Sequence, residues 1–251
     1  MRITSSLAIA SLLSAGVAAP VLAQDVTLDK DGVDSRSGTL TVTVTNLTHG
    51  TWLAPILVAA HPAGFKAFTE GQPASVALQS VAEIGDIGPL SESLPASSSV
   101  VLNPANGPLK PGGTATAHIQ RGKGRNNDRL SVFAMLVPTN DGFIGLNAIE
   151  IPKHPGTYTY ALNAYDAGTE ANDEAKAAAA PGIGQPGMGL PAFLNNVGIY
   201  PDAPGFANAV AEGYVHIHRG MLGGPAGGDS VLDQTTYRWM NPVVRVTLTV
   251  R

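Results

Sequence analysis

Hydrophobic and polar positions alternate most cleanly near the two ends of the chain. Leu40, Val42 and Val44 point one way while Thr39, Thr41, Thr43 and Thr45 point the other. At the far end Val244, Val246, Leu248 and Val250 alternate with Arg245, Thr247, Thr249 and Arg251. A period of two built on β-branched residues predicts half-buried strands. Tyr158–Leu162 and Thr114–Ile119 repeat the pattern more weakly. Leu130–Val137 is a nearly continuous apolar run, as expected of a strand covered on both faces. Ile56–Ala60 is a shorter run of the same kind. One segment breaks the period: Ala74, Val76, Ala77, Val81 and Ile84 recur at three- and four-residue spacing after Pro73. That spacing predicts a helix with the proline in its first turn and its end at Gly85 or Gly88. Gly and Pro punctuate residues 106–108, 111–113 and 181–191, and Ala175–Gly189 reads as a long surface loop with a frayed helical turn. No internal repeat is visible. Many short strands with turn signals predict an all-β fold, an antiparallel β-sandwich with one or two short helices in the connections.

The first 23 residues stand outside that pattern. Arg2 is followed by an apolar, small-residue stretch over Ile3–Val17, and Val21-Leu22-Ala23 has the small-x-small form of a cleavage site. This predicts a secretory signal peptide over residues 1–23, with a single domain over 24–251. A membrane anchor fits less well, because the run is shorter than the ~20 residues that span a bilayer and Pro20 interrupts it. The expected product is periplasmic or secreted, with no membrane span. The 19 acidic residues outnumber the 15 basic ones, and losing Arg2 with the leader makes the balance one unit more negative. That balance argues against a nucleic-acid partner, which calls for a basic face. With no cysteine at all, disulfides, thiolate zinc sites and cysteine nucleophiles are excluded.

Two acidic loops carry the most distinctive chemistry. Pro138-Thr139-Asn140-Asp141-Gly142-Phe143 follows the long apolar run, and Tyr165-Asp166-Ala167-Gly168-Thr169-Glu170 begins a stretch that continues to Glu174. Loops leaving the same end of neighbouring strands converge in a sandwich, which would bring Asp141, Asp166 and Glu170 together. Like charges held that close require a cation, and calcium, with ~6–8 oxygen ligands in flexible geometry, suits them. Asp166 and Glu170 would lie ~13 Å apart on an extended strand at ~3.3 Å per residue, so sharing an ion requires a sharp turn, which Gly168 permits. The pattern is not an EF-hand: counting from Asp166 puts Ala171 at the glycine position and Ala177 at the bidentate glutamate position. The alternative is that these acids are solvated residues capping their own turns.

The same residues carry a family likeness. Met135–Gly145 resembles the spondin segment that reads roughly PSPDWFVG, and Tyr165–Glu170 resembles its YDAGTD. Leu40–His49, Ala60–Phe65 and Val215–His218 resemble bacterial members, so the likeness spans about residues 38–220. The resemblance implies an antiparallel sandwich with Ca2+ held by Asp141, Asp166 and Glu170. Two positions depart from it. Glu170 replaces an aspartate with a longer arm, and Gly142 replaces an aromatic ring.

His216 and His218, two apart on an expected strand, face the same side and offer a competing transition-metal site, with His61 or His49 as a third ligand. Arg121, Lys123, Arg125 and Arg129 read as a charged hairpin tip. There is no Gly-x-Ser-x-Gly elbow, and no aromatic sugar platform is evident beside the carboxylates, so no catalytic residue is assigned. Trp52 and Trp239 belong to the core or its rim. The expected function is an exported calcium-binding module of the adhesion type for an extracellular or envelope ligand of unknown identity.

Overall fold

The two cleanest alternating segments are hydrogen-bonded to each other. A computed structural model describes residues 38–121, 126–178, 182–194, 197–207 and 210–251, so the leader expected over residues 1–23 lies outside the described residues. In chain order the strands are β1 (Thr39–Asn46), β2 (Trp52–Leu53), β3 (Leu57–His61), β4 (Ser99–Leu102), β5 (Thr114–Gln120), β6 (Arg129–Val137), β7 (Gly142–Glu150), β8 (Gly156–Leu162), β9 (Ala164–Asp166), β10 (His216–Ile217) and β11 (Val244–Val250). β1 and β11 run antiparallel, with Leu40 opposite Val250 and Val44 opposite Val246. They form the centre of a four-stranded sheet in the order β5-β1-β11-β8. The second sheet runs β10-β9-β7-β6-β3-β4, and β2 adds to β6. The strand pairs within both sheets are antiparallel.

The main core lies between the sheets, which is why alternation and continuous burial appear in different strands. Leu40, Val42, Val44, Val246 and Leu248 face inward and meet Val58, Leu130, Val132, Ala134 and Leu136 from the second sheet. Each fully buried aliphatic side chain of this kind is worth about 1.5–3 kcal/mol. The other face of the second sheet is also covered. Leu57, Ala59, Phe133 and Phe143 pack against Leu78, Val81 and Ala82 of a helix, together with Phe68. That second layer accounts for the apolar run of β6, whose residues after Arg129 are all buried.

The covering helix, α1 (Val76–Ile84), starts later than the proline suggested. Its cap is Ser75, whose hydroxyl accepts from the Leu78 amide, so Pro73 precedes the helix instead of occupying its first turn. Gly85 ends it in the left-handed conformation at φ 68°. Gly88 opens a second short helix, α2 (Gly88–Glu92), and a single turn, α3 (Gln234–Tyr237), lies near the end.

Three further expectations are refined. The expected charged hairpin tip is not formed, because β5 and β6 on either side belong to different sheets; Arg121 is buried, donating from Nε and Nη2 to the Asn127 carbonyl across this inter-sheet connection. Lys123 and Arg125 lie outside the described residues. The 175–189 segment shows no helical turn among its described residues. It is tied back by a bridge between Lys176 and Met188, and Met188 enters a small third core with Met221, Leu232 and Tyr237. Trp52 packs at the edge of a satellite cluster, and Trp239 bridges the main core and the third core. Among the described residues no helix is long and apolar enough to cross a membrane.

Candidate metal centre

The site grows out of one end of the second sheet. In the turn from β6 to β7, the Thr139 hydroxyl donates to the Leu136 carbonyl at 2.6 Å and accepts from the Gly142 amide at 2.9 Å. This hydroxyl explains Gly142, since a Cβ there would stand 2.8 Å from Thr139 Oγ1. The aromatic ring expected from the spondin pattern is therefore replaced by a threonine clasp. The turn delivers Asp141 directly before β7.

Strand pairing then brings the second loop alongside. Gly142 lies opposite Asp166 in the β7–β9 ladder, and the Ala167 amide donates to the Asp141 carbonyl at 3.2 Å. After Ala167 the chain reverses at Gly168, with φ 67°, the sharp turn that a shared ion requires. A side chain at Gly168 would strike the backbone of Tyr214, so close approach demands glycine as well.

Asp141 organises the turn from its centre. Its Oδ2 accepts from the Thr169 amide at 2.7 Å, the Thr169 hydroxyl at 3.2 Å and the Glu170 amide at 3.0 Å. Its Oδ1 is buried without any hydrogen-bond partner. Burial, followed by the charge of Asp166, pushes the Asp141 carboxyl up to about 7. Glu170 is 8% exposed and is pushed up to about 8, first by burial and then by the nearby Glu83 carboxylate. Asp166 is 1% exposed; its Oδ1 accepts from the Gly168 amide at 2.7 Å and its Oδ2 from Asn172 at 2.6 Å. Among the described residues, no lysine or arginine pairs with these three carboxylates. All three sequence-identified acids are buried, and Asp141 lies within electrostatic reach of both Asp166 and Glu170, but among the described residues the three do not form a group whose ligand atoms lie within 4.8 Å of one another. Burial and like charge account for the raised carboxyls of Asp141 and Glu170.

Two residues the sequence did not single out hold the loops. Asn140 donates to Asp173 at 2.9 Å and accepts from the Glu174 amide at 3.3 Å, joining the first loop to the second. Glu174, buried at φ 47°, accepts from the Leu222 and Gly223 amides and the Ser230 hydroxyl, anchoring the late irregular segment. Neither has a sequence signal beyond its presence in an acidic loop.

The histidine expectations divide. His216 lies opposite Asp166 in the β9–β10 pair, and its Nε2 stands 3.6 Å from Asp166 Oδ1 and 3.7 Å from Glu212 Oε1. Among the described residues, Asp166, Glu212 and His216 form a group whose ligand atoms all lie within 4.8 Å of one another. His218 lines the same cavity, but its Nδ1 accepts from the Gly220 amide, so its Nε2 carries the proton and is not free to ligate. Burial, with His216 adding to it, pushes His218 down to about 4. His61 is excluded as the third ligand: Nδ1 is engaged by the Pro62 carbonyl and Nε2 by the Ser131 hydroxyl. His49 is exposed and belongs to no such group among the described residues; the groups beside His216 are instead Asp166 and Glu212, and sequence spacing did not reveal Glu212.

The chain matches a known protein family. The family model described as Spondin_N aligns with residues 46–185, a range that holds both acidic loops. The Val215–His218 stretch lies beyond it. No curated protein matches the chain.

Proposed function

From the premise that this chain belongs to the spondin N-terminal domain family, we propose that it is an exported binding module of the adhesion type, whose loops at one end are ordered by a calcium ion held by Asp141, Asp166 and Glu170. The observation that carries the reading is the buried, partnerless Oδ1 of Asp141, with the buried carboxyls of Asp166 and Glu170 within electrostatic reach. An ionised cluster of that kind is costly in a low-dielectric setting unless a cation neutralises it. A bound ion would let the carboxylates stay charged and would fix the 138–142 and 166–174 loops relative to each other. The role of the ion is structural; the ligand is met by the surface those loops present. Apolar side chains exposed near that end, Tyr214, Ile217 and Leu222, supply contact area for a partner.

Isothermal titration of the protein, first stripped with chelator, tests the ion directly. One calcium is expected per chain, with binding abolished in Asp141→Asn. Absence of a calcium heat in the stripped wild-type protein, with calcium also missing from elemental analysis of the untreated protein, would reject the reading.

A further inference from the structure

We infer that Asp166, Glu212 and His216 form a second cation site, selective for a divalent transition metal of the zinc type, on the side of Asp166 turned towards β10. This goes beyond the calcium reading and shares only Asp166 with it.

The first support is the state of His216. Its Nδ1 lies 2.9 Å from the Ile217 carbonyl. A carbonyl only accepts, so the ring proton sits on Nδ1 and the Nε2 lone pair points away from that bond. A histidine ligand is ordinarily fixed this way, its second nitrogen donating to a carbonyl. The buried Nε2 has no hydrogen-bond partner, yet two carboxylate oxygens stand at 3.6 and 3.7 Å. These separations are too long for hydrogen bonds. They approach the ~3.3–3.5 Å between neighbouring ligand atoms placed ~2.0–2.1 Å from a four-coordinate zinc. Glu212 Oε2 is buried and partnerless as well.

A second, independent observation comes from His218. It is 3% exposed and lines the same cavity of about 250 Å³. With Nδ1 taken by the Gly220 amide, its Nε2–H is a buried donor with no acceptor. Three protein ligands leave one position open on a zinc ion, and water or an anion fills it. An oxygen in that position would give the His218 proton its acceptor. The imidazole nitrogen supplies selectivity, since calcium prefers an all-oxygen set whereas imidazole suits zinc, copper and nickel.

Cobalt(II) titration followed by visible absorption, with zinc competition, tests the site on the full mature chain. The wild-type protein is expected to develop a cobalt spectrum at one equivalent and lose it on adding zinc. His216→Ala and Glu212→Gln should each weaken cobalt binding about 100-fold or more, whereas Asp141→Asn should leave it within a fewfold. Circular dichroism and calcium binding of the His216 and Glu212 variants verify that they are folded. A spectrum that survives His216→Ala, or no spectrum in the wild-type protein, overturns the inference. Because Asp141→Asn removes calcium and His216→Ala removes cobalt, failure of one site is distinguishable from failure of the other.

Discussion

His216 stands directly across the β9–β10 pair from Asp166, with its Nε2 3.6 Å from the Asp166 Oδ1. Residues paired across antiparallel strands project to the same face of the sheet. Register alone therefore sets an imidazole beside a buried carboxylate some fifty positions earlier in the chain. Asp166 also lies opposite Gly142, the residue after Asp141, in the β7–β9 ladder, so one aspartate is common to the two proposed cation sites.

Calcium should raise the melting temperature. Binding to the native state alone contributes ~2.7 kcal/mol at a hundredfold excess over Kd, or roughly 5–10 °C for a domain of this size. Differential scanning calorimetry with and without chelator measures it. In Asp141→Asn the increment should vanish. The stripped variant should be more stable than stripped wild type by about 1 kcal/mol at pH 8, because a buried charge without a counter-ion is removed.

The stripped protein should lose stability as pH rises. Asp141 and Glu170 are pushed up to about 7 and about 8 in the folded state, from ordinary values of 3.8 and 4.5. Groups raised on folding favour the native state fully below their unfolded values, and that contribution fades as pH climbs through the folded ones. Melting temperature without calcium should therefore fall between pH 5 and pH 8.5, while the increment from saturating calcium grows over the same range. A flat profile in chelator would contradict the burial of these carboxyls.

Gly168→Ala should cost roughly 2–4 kcal/mol, combining left-handed strain with a collision against the Tyr214 backbone. Because Gly168 lies between Asp166 and Glu170, calcium affinity should weaken along with the urea midpoint. Gly184→Ala is the matched control: φ is 72° there too, but a Cβ would meet nothing within 4 Å, so strain alone should cost about 1 kcal/mol.

Glu174→Gln should cost roughly 2–4 kcal/mol without affecting calcium stoichiometry. The carboxylate accepts from two amides and a hydroxyl, and an amide side chain would turn a donor onto one of them. Limited proteolysis should show earlier cleavage near residues 219–230, and cleavage unchanged from wild type would show that the segment is anchored elsewhere.

Local pattern determined much of this protein. The threonine alternation of β1 and β11, the doubly buried β6 and the glycine stop after Ile84 follow from period, β-branching and left-handed propensity, all properties of neighbouring residues. The acidic loops were legible too, because their turn residues and the flanking strands lie within a few positions of one another. The helix start was misplaced by the proline because a serine side chain competed for the cap. Glu212, Asn140 and Glu174, and the exclusion of His61 by Ser131, had no local signal. Their roles depend on which strands become neighbours and in what register. A carboxylate is a surface charge or a buried ligand depending on groups that arrive from remote parts of the chain, and only the packing of two sheets decides which.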